Sequence, residues 1–103
     1  MEKMKSAGII AEYNPFHNGH QYHVEETRKQ TGADVIIAVM SGSFTQRGEM
    51  AIADKWTRAE LAVGGGVDLV VEMPTVAACN HAAVFAQSGV NILQKLGADF
   101  ISF

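Results

Sequence analysis

The sequence predicts a doubly wound α/β domain built on a parallel sheet. Four short apolar runs, at residues 7–11, 35–40, 69–71 and 100–103, are hydrophobic continuously rather than alternately. That is the pattern of strands covered on both faces. Three stretches of helical spacing lie between them, long enough for the right-handed crossovers that parallel neighbours require, so the order reads β-α-β-α-β-α-β. With 103 residues, 48% hydrophobic and 18% charged, the chain supports one core and excludes disorder.

The first strand, Ala-Gly-Ile-Ile-Ala, gives way at Glu12 to a polar loop. A weakly amphipathic first helix is expected from about His20 to Thr31, beginning after Asn18-Gly19 and stopped by Gly32. The second strand, Val-Ile-Ile-Ala-Val-Met, runs into a tight turn at Ser41-Gly42. Asp54 is the expected N-cap of the second helix, whose apolar face is read as Trp56, Ala59 and Val63 at i, i+3, i+7, before Gly64-Gly65-Gly66 breaks it. Trp56 is accordingly assigned to the core rather than to a stacking platform. The third strand ends at Glu72-Met73-Pro74, and the third helix lines Ala82, Ala86, Gly89, Val90, Leu93 and Leu96 along one face. Gly97-Ala98-Asp99 then turns into the last strand. The sequence shows no internal repeat, low-complexity tract or linker, so residues 1–103 form one domain. Because the chain stops in a strand of buried type, it is expected to be a fragment of a longer protein.

A single cysteine, Cys79, rules out an internal disulfide framework or a Cys-rich zinc site and suits a reducing compartment, so a cytoplasmic location is expected. The apolar run near the N-terminus is too short for a signal peptide, and no stretch approaches the ~20 apolar residues of a membrane span. No membrane partner is expected. The net charge of −3 argues against a broad basic surface for nucleic acid.

Folds of this class bind ligands outside the carboxyl ends of the strands, here residues 12–20, 41–54 and 72–81. The first of these, Glu-Tyr-Asn-Pro-Phe-His-Asn-Gly-His, is shaped for a close guest. Pro15 biases Asn14 to an extended conformation, and Gly19 lets a ligand approach the backbone. The helix beginning there offers unpaired N–H groups and a positive dipole end, beside His17 and His20. Donors so placed suit transfer at phosphorus, where charge grows on phosphate oxygens. Two other readings stay open: a helix-capping loop with exposed imidazoles, and a metal site at His17, His20 and His23, whose i, i+3, i+6 spacing drifts around a helix. Arg47, Lys55 and Arg58 bring three of the eight basic residues into twelve positions. They are candidate anion contacts, or, for Lys55 and Arg58, a solvated helix face. Glu72 is a candidate for a metal ion or a ribose hydroxyl, and Asn80-His81 a candidate cap.

The segment Gly8-Ile-Ile-Ala-Glu-Tyr-Asn-Pro-Phe-His-Asn-Gly-His20 resembles the N-terminal signature of the tRNA(Met) cytidine acetate ligase family, within the HIGH-type nucleotidylyltransferase superfamily. Residues 39–49, 53–59, 66–74 and 97–103 resemble the same family in order and spacing, so the likeness spans essentially the whole chain. It departs at Ser43, where the family has Asn, at Met50, where it has Pro, and across residues 75–80. The resemblance implies a three-layer Rossmann-like, HUP-type fold, here incomplete, and residues 1–103 as the N-terminal part of a nucleotidylyltransferase-like ATP-binding domain. It implies activation of acetate with ATP, then acetyl transfer to the wobble cytidine of elongator tRNA-Met, giving N4-acetylcytidine. ATP contacts are implied for Ile10, Ala11, Glu12, Tyr13, Asn14, Pro15, Phe16, His17, Asn18, Gly19 and His20, together with His23. His17 and His20 would act catalytically on the phosphates, and Arg47, Lys55 and Arg58 would contact phosphates or the nucleotide's tail. Mg²⁺ is expected with ATP, and no protein-bound metal. The alternatives are another nucleotidylyltransferase, acting on a nicotinate or pantetheine nucleotide, and a non-catalytic nucleotide-binding fragment.

Overall fold

The computed structural model describes residues 4–13, 16–42, 54–74 and 82–102, without the side chains of Ala82 and Ala83. Four parallel strands form one sheet: β1 (Ser6–Ala11), β2 (Val35–Ser41), β3 (Leu69–Met73) and β4 (Phe100–Ser102). The helices between them are α1 (Asn18–Thr31), α2 (Lys55–Gly64) and α3 (Ala82–Lys95). The expected doubly wound α/β fold is the one observed. Strand order is β3-β2-β1-β4, so the chain steps outward from β1 to β3 and returns to pair β4 with the other side of β1. The order therefore reverses between β1 and β4.

Right-handed crossovers that move in opposite directions leave their helices on opposite faces. Accordingly Val24 of α1 and Ala62 of α2 join Ala7, Ile9, Ile36, Ala38 and Met40 in one core. Phe85 and Leu93 of α3 join Ile37, Val39 and Met73 in the other. Gly8 is bare because the Leu93 side chain fills the space where a Cβ would stand.

The turn read from the sequence at Gly97-Ala98-Asp99 is one copy of a three-residue device that follows each of α1, α2 and α3. The copies are Gly32-Ala33-Asp34, Gly66-Val67-Asp68 and Gly97-Ala98-Asp99. Each glycine takes positive φ (67°, 113° and 78°), which turns the chain without a Cβ penalty. The small apolar residue packs inward, and the aspartate seals its strand to a neighbour. Oδ2 of Asp34, Asp68 and Asp99 accepts the N–H of Lys5 (3.0 Å), Ile36 (2.8 Å) and Ser6 (2.9 Å). The three aspartate N–H groups donate to the carbonyls of Lys5, Ile36 and Ser6.

Four expectations are corrected. α1 begins at Asn18, not His20, because His17 caps it. The buried residues of α2 are Arg58 and Ala62, whereas Trp56 is 74% and Val63 53% exposed. α2 covers an edge strand, so its Trp56–Val63 stripe stands with half-exposed Leu69 on the uncovered flank and Trp56 is not core. On α3, Phe85 is buried while Leu96, just past the helix end, is exposed. β3 and β4 are edge strands whose first residues are exposed, so cover on both faces is complete only for the central strands.

Candidate functional site

β1 delivers the chain to the N-terminus of α1, and the local structure there is made by histidines. His17 is the N-cap, in extended backbone conformation (φ −139°, ψ −177°). Its Nδ1 accepts the Gly19 N–H at 3.0 Å, and Nδ1 of His20 accepts the His17 N–H at 3.1 Å. This is a capping box in which imidazoles replace the usual hydroxyl and carboxylate. The rings stack with centroids 3.8 Å apart. With each Nδ1 accepting, the proton of each neutral ring sits on Nε2, which leaves two N–H donors beside the positive end of the α1 dipole.

His20 is half-buried, with its ring 5.0 Å from that of Tyr13 and 5.6 Å from that of Phe16. Desolvation, reinforced by His17 and His23, holds its pKa below the ordinary 6.5, so the ring is neutral at pH 7. Phe16 packs against Gly65 at the end of α2, where a Cβ would collide with its ring. Tyr13 is buried in left-handed backbone (φ 50°), a conformation that costs energy in a residue with a Cβ. Its hydroxyl has no hydrogen-bond partner among the described residues, and burial pushes its pKa up to about 12.

Arg58, one of the two basic residues that a solvated helix face would expose, is 0% exposed. Its Nη1 donates to the Glu12 carbonyl at 2.7 Å and its Nη2 to the Gly42 carbonyl. Desolvation lowers its pKa, opposed by the carboxylates of Glu12, Asp54 and Glu72. Lys55 pairs with Glu72 (Nζ to Oε2, 2.9 Å) and lies 5.6 Å from the Trp56 ring centroid. Glu72, a candidate for metal or ribose, is thus engaged by Lys55. Asp54 caps α2 as expected, its Oδ1 accepting the Thr57 N–H at 2.8 Å.

His23 turns away from the other two histidines' caps. Its Nε2 lies 2.8 Å from Ser102 Oγ, and the Thr27 hydroxyl donates to the same oxygen at 2.8 Å. Ser102 sits on β4, across the strand-order reversal, and only the fold brings it to α1. Among the described residues no three His, Cys, Asp or Glu side chains converge as a metal site would require. Of the other implied ATP contacts, Ile10 packs against Gly89 of α3. Ala11 packs on the Tyr13 core, and Glu12 contributes its carbonyl to Arg58. Asn18 and Gly19 form the exposed first turn of α1. Asn14, Pro15, Arg47, Asn80 and His81 lie outside the described residues, as do Ser43, Met50 and Cys79.

A helix N-terminus at the carboxyl end of a strand, beside the reversal point of a parallel sheet, is where α/β folds bind nucleotide phosphates. A family model described as HIGH Nucleotidyl Transferase matches residues 4–103. The chain belongs to the HIGH nucleotidyl transferase family. Its sheet has the HUP-type architecture of that family, and it superposes on the apo crystal structure of Thermotoga maritima TmcAL with a TM-score of 0.92. That match has 48% identity and covers 97% of this chain and 24% of the other. A second crystal structure, of the Thermotoga protein bound with alpha-thio ATP, matches with a TM-score of 0.88 and 50% identity, over 92% of this chain and 23% of that one. The resemblance read from the sequence extends to curated relatives of the same name. The tRNA(Met) cytidine acetate ligase of Caldicellulosiruptor saccharolyticus is 57% identical over 100 residues, 97% of this chain and 25% of the relative. The chain thus spans about a quarter of the length of the relatives it matches. Among the described residues of this HIGH nucleotidyl transferase, no helix is long and apolar enough to cross a membrane.

Proposed function

We propose that this chain is the nucleotide-binding part of an ATP-dependent tRNA(Met) cytidine acetate ligase. An acetate oxygen attacks the α-phosphorus of ATP, the bond to the bridging oxygen breaks, and pyrophosphate leaves with the electron pair. N4 of the wobble cytidine of elongator tRNA-Met then attacks the acetyl carbonyl. AMP departs, N4 loses one proton, and N4-acetylcytidine results. His17 and His20 keep their covalent state throughout. Each donates Nε2–H to phosphate oxygens on which charge grows, and the α1 N-terminus adds its dipole to the same place. Residues 10–20 contact the nucleotide, and His23, held to Ser102, does so from the β4 side. Lys55 and Arg47 serve the phosphates or the nucleotide's tail. With ATP bound, Mg²⁺ would supply charge neutralisation on the triphosphate, and among the described residues no three His, Cys, Asp or Glu side chains converge to hold it. Acetate and tRNA engage the full-length protein, in the cytoplasm.

The observation that carries this reading is the pair of Nε2–H donors left by the histidine cap, in a chain 50% identical to a protein crystallised with alpha-thio ATP. The test is ATP–pyrophosphate exchange by the full-length protein. Exchange should depend on acetate and be lost in His20→Ala, and exchange by that variant at the wild-type rate would remove His20 from the mechanism. Dependence on a nicotinate or pantetheine nucleotide in place of acetate would assign another nucleotidylyltransferase reaction. The 103-residue chain should bind a non-hydrolysable ATP analogue with Mg²⁺ in calorimetry. If it is folded by circular dichroism yet silent, the site needs residues beyond this chain.

A further inference from the structure

A buried guanidinium is costly unless its donors are hydrogen-bonded, and Arg58 directs Nη1 and Nη2 to two particular carbonyls. The ladder between β1 and β2 runs to the pair Ala11 and Met40. Glu12 and Gly42, whose carbonyls Arg58 holds, lie just past it, where the two strands are released from each other. The Glu12 carbonyl belongs to the peptide plane whose other side sets φ of Tyr13. That φ is 50°, a strained value that persists only where the surroundings dictate it. The Tyr13 ring in turn stands edge-on to Phe16 (centroids 4.9 Å) and to His20 (5.0 Å). A line of contacts therefore runs from Arg58 through the Glu12 carbonyl and the Tyr13 backbone to the His20 ring.

We propose that Arg58 is a positioning residue whose fork clamps the carboxyl ends of β1 and β2 and, through Tyr13, sets the place of the His20 imidazole for the nucleotide. This rests on the nucleotide-binding reading above. A planar fork fixes two carbonyls at a set separation, whereas an ammonium is a point donor. Lysine therefore keeps the charge and loses the clamp.

The experiment uses the full-length protein, wild type and Arg58→Lys, each checked for native circular dichroism and a cooperative melt. Calorimetry with a non-hydrolysable ATP analogue should show binding about tenfold or more weaker in the variant, as expected when the displaced His20 ring loses its hydrogen bond to a charged phosphate. Titration of the His20 ring by NMR should show its midpoint moving toward 6.5, as it leaves its place against Tyr13. A purely structural role lowers the melting temperature and leaves both readouts unchanged, so wild-type affinity together with a wild-type His20 midpoint would overturn the proposal. If the wild-type protein binds no analogue, the nucleotide reading falls, and the clamp is judged on the His20 midpoint alone. If Arg58→Lys does not fold, hydrogen exchange on the wild type decides. The analogue should slow exchange at residues 10–20 and 38–42 together, and protection confined to residues 10–20 would overturn the clamp.

Discussion

His17 and His20 cap α1 reciprocally, each giving its Nδ1 to a backbone N–H, and their rings stack 3.8 Å apart. The sequence left a capping loop and a ligand-donating loop as competing readings. The cap is observed, and it is compatible with the second reading, because capping consumes Nδ1 and leaves Nε2–H.

The two roles separate by substitution. Asparagine is among the best N-caps, so His17→Asn should unfold with about wild-type stability, whereas His17→Ala should lose about 1 kcal/mol. Both remove Nε2–H. If that donor meets a phosphate, both should weaken binding of an ATP analogue by roughly 10- to 100-fold, the worth of a hydrogen bond to a charged group. Urea unfolding and calorimetry on the same variants check the split. Wild-type affinity in His17→Asn would leave His17 a cap and nothing more.

The neutral state of His20 predicts a pH dependence of definite sign. Desolvation, with His17 and His23, lowers its folded pKa, while the unfolded chain keeps about 6.5. Between those two values the unfolded chain binds more protons, so stability rises with pH there. The His20 contribution is complete above pH 6.5 and is lost as pH falls through the window below it. Protonating Nδ1 also breaks the bond to the His17 N–H. Gln at this position of a capping box keeps an acceptor without titrating. His20→Gln should therefore lose less stability between pH 7.5 and 5.5 than the wild type in urea titrations. Equal losses would show that His20 does not carry the dependence.

Element order and the histidine loop were legible because they are written locally. Continuous apolar runs mark β1 and β2, Asp54 marks a helix start, and residues 12–20 break abruptly from apolar to polar. What stayed hidden depends on distant partners. The stripe Trp56, Ala59 and Val63 has good helical spacing, yet α2 lies over an edge strand, so Arg58 and Ala62 turn inward instead. No periodicity announces that a guanidinium will find two strand-end carbonyls. The His23 partner, Ser102, is 79 residues away and arrives only because the strand order reverses between β1 and β4. The start of α1 moved to Asn18 because an imidazole is an unusual N-cap.

The two faces of α2 can be told apart directly. Trp56, 74% exposed, should tolerate Trp56→Ser within about 0.5 kcal/mol. Ala62 is buried in the core beneath α1 and α2, and Ala62→Leu should cost about 1–3 kcal/mol through overpacking. Thermal or urea unfolding of both variants reverses the ranking that the hydrophobic stripe alone would give. A large loss in Trp56→Ser would restore Trp56 to the core.

The aspartates that open β2, β3 and β4 predict a contrast between removing an acceptor and removing a charge. Asp68 Oδ2 accepts the N–H of buried Ile36 at 2.8 Å and also meets Arg28 at 3.0 Å. Asp68→Asn keeps an acceptor for Ile36 and forfeits only a solvent-screened ion pair, worth about 0–1 kcal/mol. Asp68→Ala strands the Ile36 N–H at the start of β2 and should cost about 1–3 kcal/mol. Desolvation pushes the Asp68 carboxyl up, but the Ile36 N–H and Arg28 outweigh it and hold the group below 3.8. Its stabilisation is therefore present above that value and disappears as pH falls through the folded pKa, so acid unfolding should be less steep in Asp68→Asn than in the wild type. Asp34 and Asp99 make the equivalent bond to Lys5 and Ser6, so if the device works as a strand seal, Asp99→Ala and Asp99→Asn should split in the same direction. A split at Asp68 alone would tie the effect to Arg28 rather than to the repeated Gly-small-Asp turn.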